Sequence, residues 1–249
     1  MIPILYVHLL GDFRLIYGDA PVTTVNTPRL QALLAYLVLH CHAPQSRRRL
    51  AFLLWSNSTE AQAHTNLRTL VHRLRHALPA ADHFLHADTR TLQWLSNAPF
   101  TLDVADFESA ISLANPSVAL RKAVDLYRGD LLPGCYDDWI LPERERLRQT
   151  FSEALERLML LLEGVQDYPT AIHYAHRLLW HDPLHETTYR HLMLLHALNG
   201  DRADALRVYR TCVTILQREL AVEPSPVTYD LYERLRVERQ PRQNADAFK

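Results

Sequence analysis

Hydrophobic positions recur along this chain in two rhythms. Near the start they come as short runs, Ile4–Leu10 and Phe13–Tyr17, rich in β-branched and aromatic residues and broken by Gly11-Asp12 and Gly18-Asp19. That pattern predicts an N-terminal antiparallel sheet. The spacing then changes to threes and fours. Thr27-Pro28 sets a capping hydroxyl before a proline at the first helical position, and Leu30, Leu33, Leu34, Leu37 and Val38 carry a helix to about His40. Ser46 opens a second helix, with Leu50, Leu53, Leu54 and Trp55 as its core face. Over Ala61–Leu78 a third helix gathers Leu67, Leu70, Val71, Leu74 and Leu78 on one side at 100° per residue. Phe84–Ala87 and Thr91–Leu95 return to strand, as a hairpin tipped by Asp88-Thr89-Arg90.

From Asp103 onward the spacing is helical, with helices at about 103–114, 117–128, 140–163, 169–181, 184–199, 202–219 and 226–238. Asp137-Asp138 is placed to cap the helix beginning near Ile140. Asp167-(x)3-Ala171 recurs 34 residues later as Asp201-(x)3-Ala205, the tetratricopeptide period. Pro183 falls where such a repeat ends and Tyr209 where helices of a repeat pack, although Gln217 stands where a second proline is expected. Small residues at 171 and 205 let paired helices approach closely, a packing role rather than a ligand site. The fold expected is mainly α with an α+β N-terminal region. Residues 1–100 form a winged helix-turn-helix, 101–239 a tetratricopeptide-like all-α repeat domain, and 240–249 a polar tail or the start of a linker.

Charge sharpens this picture. Residues 1–100 hold nine Arg and no Lys against five acids, whereas 101–249 hold eighteen basic and twenty-three acidic groups. A basic half joined to an acidic half suits a nucleic-acid reader with a partner-contacting domain. No acid occurs from Ala61 to Leu78. Opposite the leucines of that helix lie Gln62, Thr65, Thr69, His72, Arg73 and His76, flanked by Arg68 and Arg75. Hydrogen-bonding side chains backed by arginines fit a helix laid in the DNA major groove. Arg47, Arg48 and Arg49 oppose the dipole of the second helix at roughly 0.3–1 kcal/mol each, a cost that nearby phosphate or a partner offsets.

Other chemistries find little support. Cys41, Cys135 and Cys212 are far apart and form no CxxC pair, which fits a reducing cytoplasm. Ile2–Leu10 is too short to span a membrane and lacks a charged lead. His72 and His76 have metal-ligand spacing, but Arg73 beside them repels a dication. His173/His176 and His40/His42 are weaker pairs. No GxSxG, Ser/His/Asp arrangement or GxxxxGK[ST] occurs, so neither catalysis nor a nucleotide-binding module is expected within these residues. We expect no enzyme activity, cofactor or metal.

LLGDFRLIYGDAPV, TPRLQALLAYLVLH, RRRLAFLLW and NLRTLVHRLRHAL, in that order, resemble the OmpR-type winged helix of the Streptomyces antibiotic regulatory protein family. LYRGDLLPGCYDDWILPERERLR and the helices up to ELAVEPSPVTYDLYERLR resemble its bacterial transcriptional activator domain. The resemblance covers about residues 4–236. It implies a cytoplasmic, nucleoid-associated activator that binds promoter direct repeats in double-stranded DNA as a homodimer and recruits RNA polymerase. It also implies base contacts from Thr65, Thr69, His72, Arg73 and His76, with backbone contacts from Gln62, Arg47, Arg48, Arg49, Arg68 and Arg75. Thr89, Arg90 and Thr91 would form the wing, and Ser56, Asn57, Ser58, Thr59 and Glu60 the polymerase-facing loop. Two histidines stand where the family often has basic or small polar residues, so base preference does not transfer. The alternative is a protein-interaction adaptor in which neither domain reads DNA.

Overall fold

A computed structural model describes residues 2–112 and 116–237; the expected polar tail at 240–249 lies outside them. The chain divides into two compact units, Met1–Phe151 and Ser152–Lys249.

The first unit begins with β1 (Leu5–His8), β2 (Arg14–Tyr17) and the two-residue β3 (Ala20–Pro21). α1 (Pro28–Leu39) follows, its first turn capped by the Thr27 hydroxyl, which accepts from the Leu30 N–H at 3.4 Å. β4 (Gln45–Ser46) leads into α2 (Arg47–Leu54), then α3 (Glu60–Ala77) and the hairpin strands β5 (Leu85–Ala87) and β6 (Thr91–Trp94). β7 (Phe100–Leu102) closes the first sheet in the order β3-β2-β1-β7, pairing parallel to β1 while the other pairs are antiparallel. The hairpin and β4 make a second, antiparallel sheet in the order β4-β6-β5. Leu33, Leu34 and Leu37 of α1, Leu50 of α2, Leu67 and Leu74 of α3, and Phe84 and Trp94 are all buried in the core of this region. Each such side chain contributes roughly 1.5–3 kcal/mol by leaving water. The winged arrangement is as expected, with β3, β4 and β7 added to it.

α4 (Asp103–Ile111), α5 (Pro116–Leu126) and the start of α6 (Leu141–Gly164) complete the same unit. Asp103 joins them to the sheet. Its buried carboxylate accepts from the Leu9 and Leu10 N–H groups at 2.9 Å and from Val104 N–H at 2.9 Å. The Leu9 and Leu10 donors sit just beyond β1, where strand pairing stops, and would otherwise be unsatisfied. Burial raises the Asp103 pKa, opposed by the three N–H donors and by His8. Next to this junction Gly11, at φ +86°, lies against Arg128 and Gly129; a Cβ on Gly129 would meet the Gly11 Cα at 3.3 Å. Gly11 N–H donates to Asp130 O and Leu132 N–H to Leu9 O. Arg144 donates from α6 to the carbonyls of Leu131, Leu132 and Cys135.

Asp137 does not cap the helix that follows it. Its side chain makes no capping bond; both oxygens instead accept from Arg29 of α1, at 2.7 and 2.9 Å. A charged guanidinium competes better for the carboxylate than a helix-end N–H does. Trp139 meets Tyr36 of α1 edge to face, with ring centroids 5.2 Å apart.

The second unit holds the rest of α6 and two helix pairs, α7 (Tyr168–His181) with α8 (Glu186–Leu198) and α9 (Arg202–Leu220) with α10 (Pro226–Val237). The 34-residue recurrence is realised in detail. Asp167 and Asp201 are the N-caps of α7 and α9, accepting from the N–H three residues on at 3.3 and 3.1 Å. Ala171 and Ala205 are fully buried one turn later. Tyr209 stacks on Tyr232 across α9 and α10, at 4.1 Å. Among the described residues no helix is long and apolar enough to cross a membrane.

Candidate nucleic-acid interface

α3 carries the candidate site, and both of its ends are fixed. The Thr59 hydroxyl accepts from Gln62 N–H at 3.3 Å, and Thr24 donates to Ala77 O at 2.5 Å. Ala63, Leu67, Leu70, Val71 and Leu74 are buried. With that stripe inside, Gln62, Thr65, Thr69, His72, Arg73 and His76 are all solvent-exposed on the other side. The Thr65 and Thr69 hydroxyls donate to the carbonyls of Ala61 and Thr65, at 3.0 and 3.1 Å. Their protons are thereby directed inward and their oxygen lone pairs outward. His72 and His76 lie ring against ring at 4.2 Å, and the Nδ1 of His76 faces the His72 carbonyl at 2.9 Å. Gln62 donates to Asn66 at 2.8 Å. The face is a row of hydrogen-bonding groups with Arg73 among them.

The three arginines of α2 differ in their surroundings. Arg47 is half-buried and its Nε has no hydrogen-bond partner among the described residues. Burial lowers its pKa and Arg68 and Arg75 lower it further, with Asp88 acting against them. It lines a cleft of about 440 Å³ with Ser46, Arg48, Arg68, Thr89 and Arg90, between the start of α2, the flank of α3 and the hairpin tip. Arg48 pairs with Glu60 at 3.1 Å. Arg49 is exposed and lines two neighbouring hollows, one with Arg48, Glu60 and His64 and one with Phe52 and Trp55. Two turns further along the same flank as Arg68, Arg75 is held by Asp82 at 2.5 Å. Exposed pairs of this kind contribute at most about 1 kcal/mol, so either arginine exchanges its carboxylate for a phosphate at little cost.

The hairpin tip is an Asx turn. Asp88 accepts from the Arg90 and Thr91 N–H groups at 2.6 and 2.7 Å and from the Thr91 hydroxyl at 2.7 Å. These bonds, the Thr91 hydroxyl first, hold the Asp88 pKa down to about 2. The turn leaves Thr89 and Arg90 exposed. Arg47 N–H donates to Arg90 O, fixing the tip against α2. Sequence reasoning placed Asp88 at the tip without its role in holding the turn, and it passed over His64. The Asp-x-x-Thr spacing is a legible turn signal. His64, which also lines the cleft, stands one turn before Arg68 on the same flank. The loop Ser56–Glu60 is exposed except for Ser58, and two of its members have local work: Thr59 caps α3, and Glu60 pairs with Arg48.

Comparison with known proteins adds to this geometry. The bacterial transcriptional activator domain matches residues 103–236. The regulatory protein AfsR of Streptomyces coelicolor is 29% identical over 242 residues, covering 91% of this chain and 24% of AfsR. The transcriptional regulatory protein MoaR1 of Mycobacterium tuberculosis is 25% identical over 232 residues, covering 85% of this chain and 73% of MoaR1. This chain thus spans about a quarter of AfsR and nearly three quarters of MoaR1. Among solved structures, Mycobacterium tuberculosis EmbR, in complex with a low-affinity phosphopeptide, superimposes with a TM-score of 0.72 at 22% identity, over 93% of this chain and 64% of that one.

Proposed function

We propose that this chain, which belongs to the bacterial transcriptional activator domain family and is of the Streptomyces antibiotic regulatory protein type, is a transcriptional activator that reads specific promoter repeats in double-stranded DNA. α3 enters the major groove, with Thr65, Thr69, His72, Arg73 and His76 facing base edges. Arg47, Arg48, Arg49, Arg68, Arg75 and Gln62 contact the sugar-phosphate backbone, and Thr89, Arg90 and Thr91 follow it with the wing. Ser56–Glu60 faces RNA polymerase, and two copies bind as a homodimer on the repeats, using the helical pairs for dimer or partner contact. The setting is the bacterial cytoplasm, on nucleoid DNA.

One observation carries this reading. Beyond Glu60 in its first turn, the exposed face of α3 carries no acid, and it opens beside a cleft where Arg47 has a buried Nε with no partner among the described residues and three more arginines stand close by. A duplex supplies both the base edges and the anionic rails that such a surface lacks.

The test is a gel shift with the full chain on oligonucleotides selected from a random pool, at fixed salt. Arg73→Ala and Thr69→Ala are expected to cost about 1–3 kcal/mol of specific affinity and to relax preference at one position each. Arg47→Ala should weaken all sequences alike and flatten the salt dependence by about one phosphate. Unchanged affinity in the first two would refute the assigned face. Absence of any salt-dependent DNA binding would favour the adaptor reading instead.

A further inference from the structure

We propose that the turn between α8 and α9 binds a zinc-class divalent cation through His196, Asp201 and Asp204. The three residues are half-buried, and each offers a ligand atom within 4.8 Å of the other two. Two ligands on one zinc lie about 3.4 Å apart in tetrahedral geometry, so modest side-chain rotation closes the set. The local backbone holds them there. Asp201 N–H donates to His196 O at 2.8 Å, and Gly200, at φ +84°, makes the reversal that brings the end of α8 over the first turn of α9.

The donor set is mixed rather than merely acidic. One imidazole with two carboxylates suits zinc and its first-row neighbours, whereas magnesium and calcium take oxygen alone. A second imidazole lies next to it. His176 of α7 has its ring centroid 6.3 Å from that of His196, and both line a hollow of about 590 Å³ with Asp204 and Trp180. His176 or solvent would complete the fourth position. Arg207 of α9 pairs with Asp204; it is an exposed side chain that an ion would displace. Sequence spacing draws attention to histidine pairs close in number, whereas positions 196, 201 and 204 come together only through the turn.

Such an ion would tie α8 to α9 and stabilise the stacked pairs, apart from any role in DNA reading. The experiment uses the untagged, chelator-stripped full chain, titrated with Zn²⁺ by calorimetry and followed by thermal melting. Wild type should bind one ion at this site and melt higher with it, since a ligand bound only by the folded state stabilises it. Asp201→Asn with Asp204→Asn, which keeps an amide able to cap α9, should lower affinity by at least about 10- to 100-fold and abolish the melting shift. His196→Gln should do the same, while Arg207→Ala should tighten binding. His72→Ala with His76→Ala should leave the zinc affinity and the melting shift as in wild type, which separates this site from the α3 pair. Circular dichroism in chelator establishes that each variant is folded. Equal zinc affinity in wild type and in both the Asp201/Asp204 and His196 variants, or no melting shift in wild type, would overturn the proposal.

Discussion

Single side chains decide how much of the surface proposed to face DNA is pre-formed. Asp88 holds the hairpin tip through three bonds, and these depress its folded pKa from 3.8 to about 2. A carboxyl whose folded pKa is depressed adds stability that is complete above its unfolded value and is lost as pH falls towards the folded one. The amide shifts of Arg90 and Thr91 should therefore stay constant from neutral pH down to about 4, the ordinary carboxylate range. A titration of those amides centred near 3.8 would show that the turn is not formed. Arg47 was legible as a basic residue at a helix start. Its burial was not, because only the meeting of α2, α3 and the tip encloses it. Asp137 shows the converse: its capping position was visible in the sequence, but its partner Arg29 lies 108 residues away.

At the level of helices and strands, legibility followed length. α1, α3 and the helices from α6 to α10 each run through several turns, so a period of 3.6 is repeated often enough to be read. β3 and β4 have two residues each and β7 has three; an alternation that short has no period to detect. The exposed face of α3 was readable for the same reason its buried face was. Its stability can be tested through its cap. Thr59→Ala should destabilise the protein by about 0.5–2 kcal/mol and fray the turn that carries Gln62, whereas Thr59→Ser should be close to neutral. Urea unfolding of both variants checks this. A cost from the alanine variant no larger than that from the serine variant would mean that the hydroxyl does not hold the helix start.

Across the whole molecule, Gly11-Asp12 was visible in the sequence as a break between strands and Gly129-Asp130 only as part of LYRGDLLPG, and their contact was not visible at all. Gly11-Asp12 and Gly129-Asp130 touch through backbone atoms, and nothing in local spacing announces that. The first compact unit accordingly runs to Phe151, well past residue 100, where composition and spacing change. This bears on any attempt to isolate the region proposed to read DNA. A fragment ending at 100 loses most of β7 and the Asp103 carboxylate, leaving two buried N–H groups at 9 and 10 unsatisfied, at about 1–3 kcal/mol each. A fragment of residues 1–151 keeps them. We expect the shorter fragment to unfold at clearly lower urea concentration than the longer one. Equal midpoints would mean that the junction contributes nothing to the fold.

The parallel pairing of Leu5 with Phe100 places the chain's entry to the winged region beside its exit, separated by a single strand spacing of about 4.8 Å. Everything that would choose a promoter is thus a detour hung from two adjacent strands. In evolution or in the laboratory, one reading head could be exchanged for another at that doorway, provided that the newcomer kept the glycine seat for residues 128–130 and a tyrosine for Trp139. The regulator could change its address without rebuilding the machinery behind it.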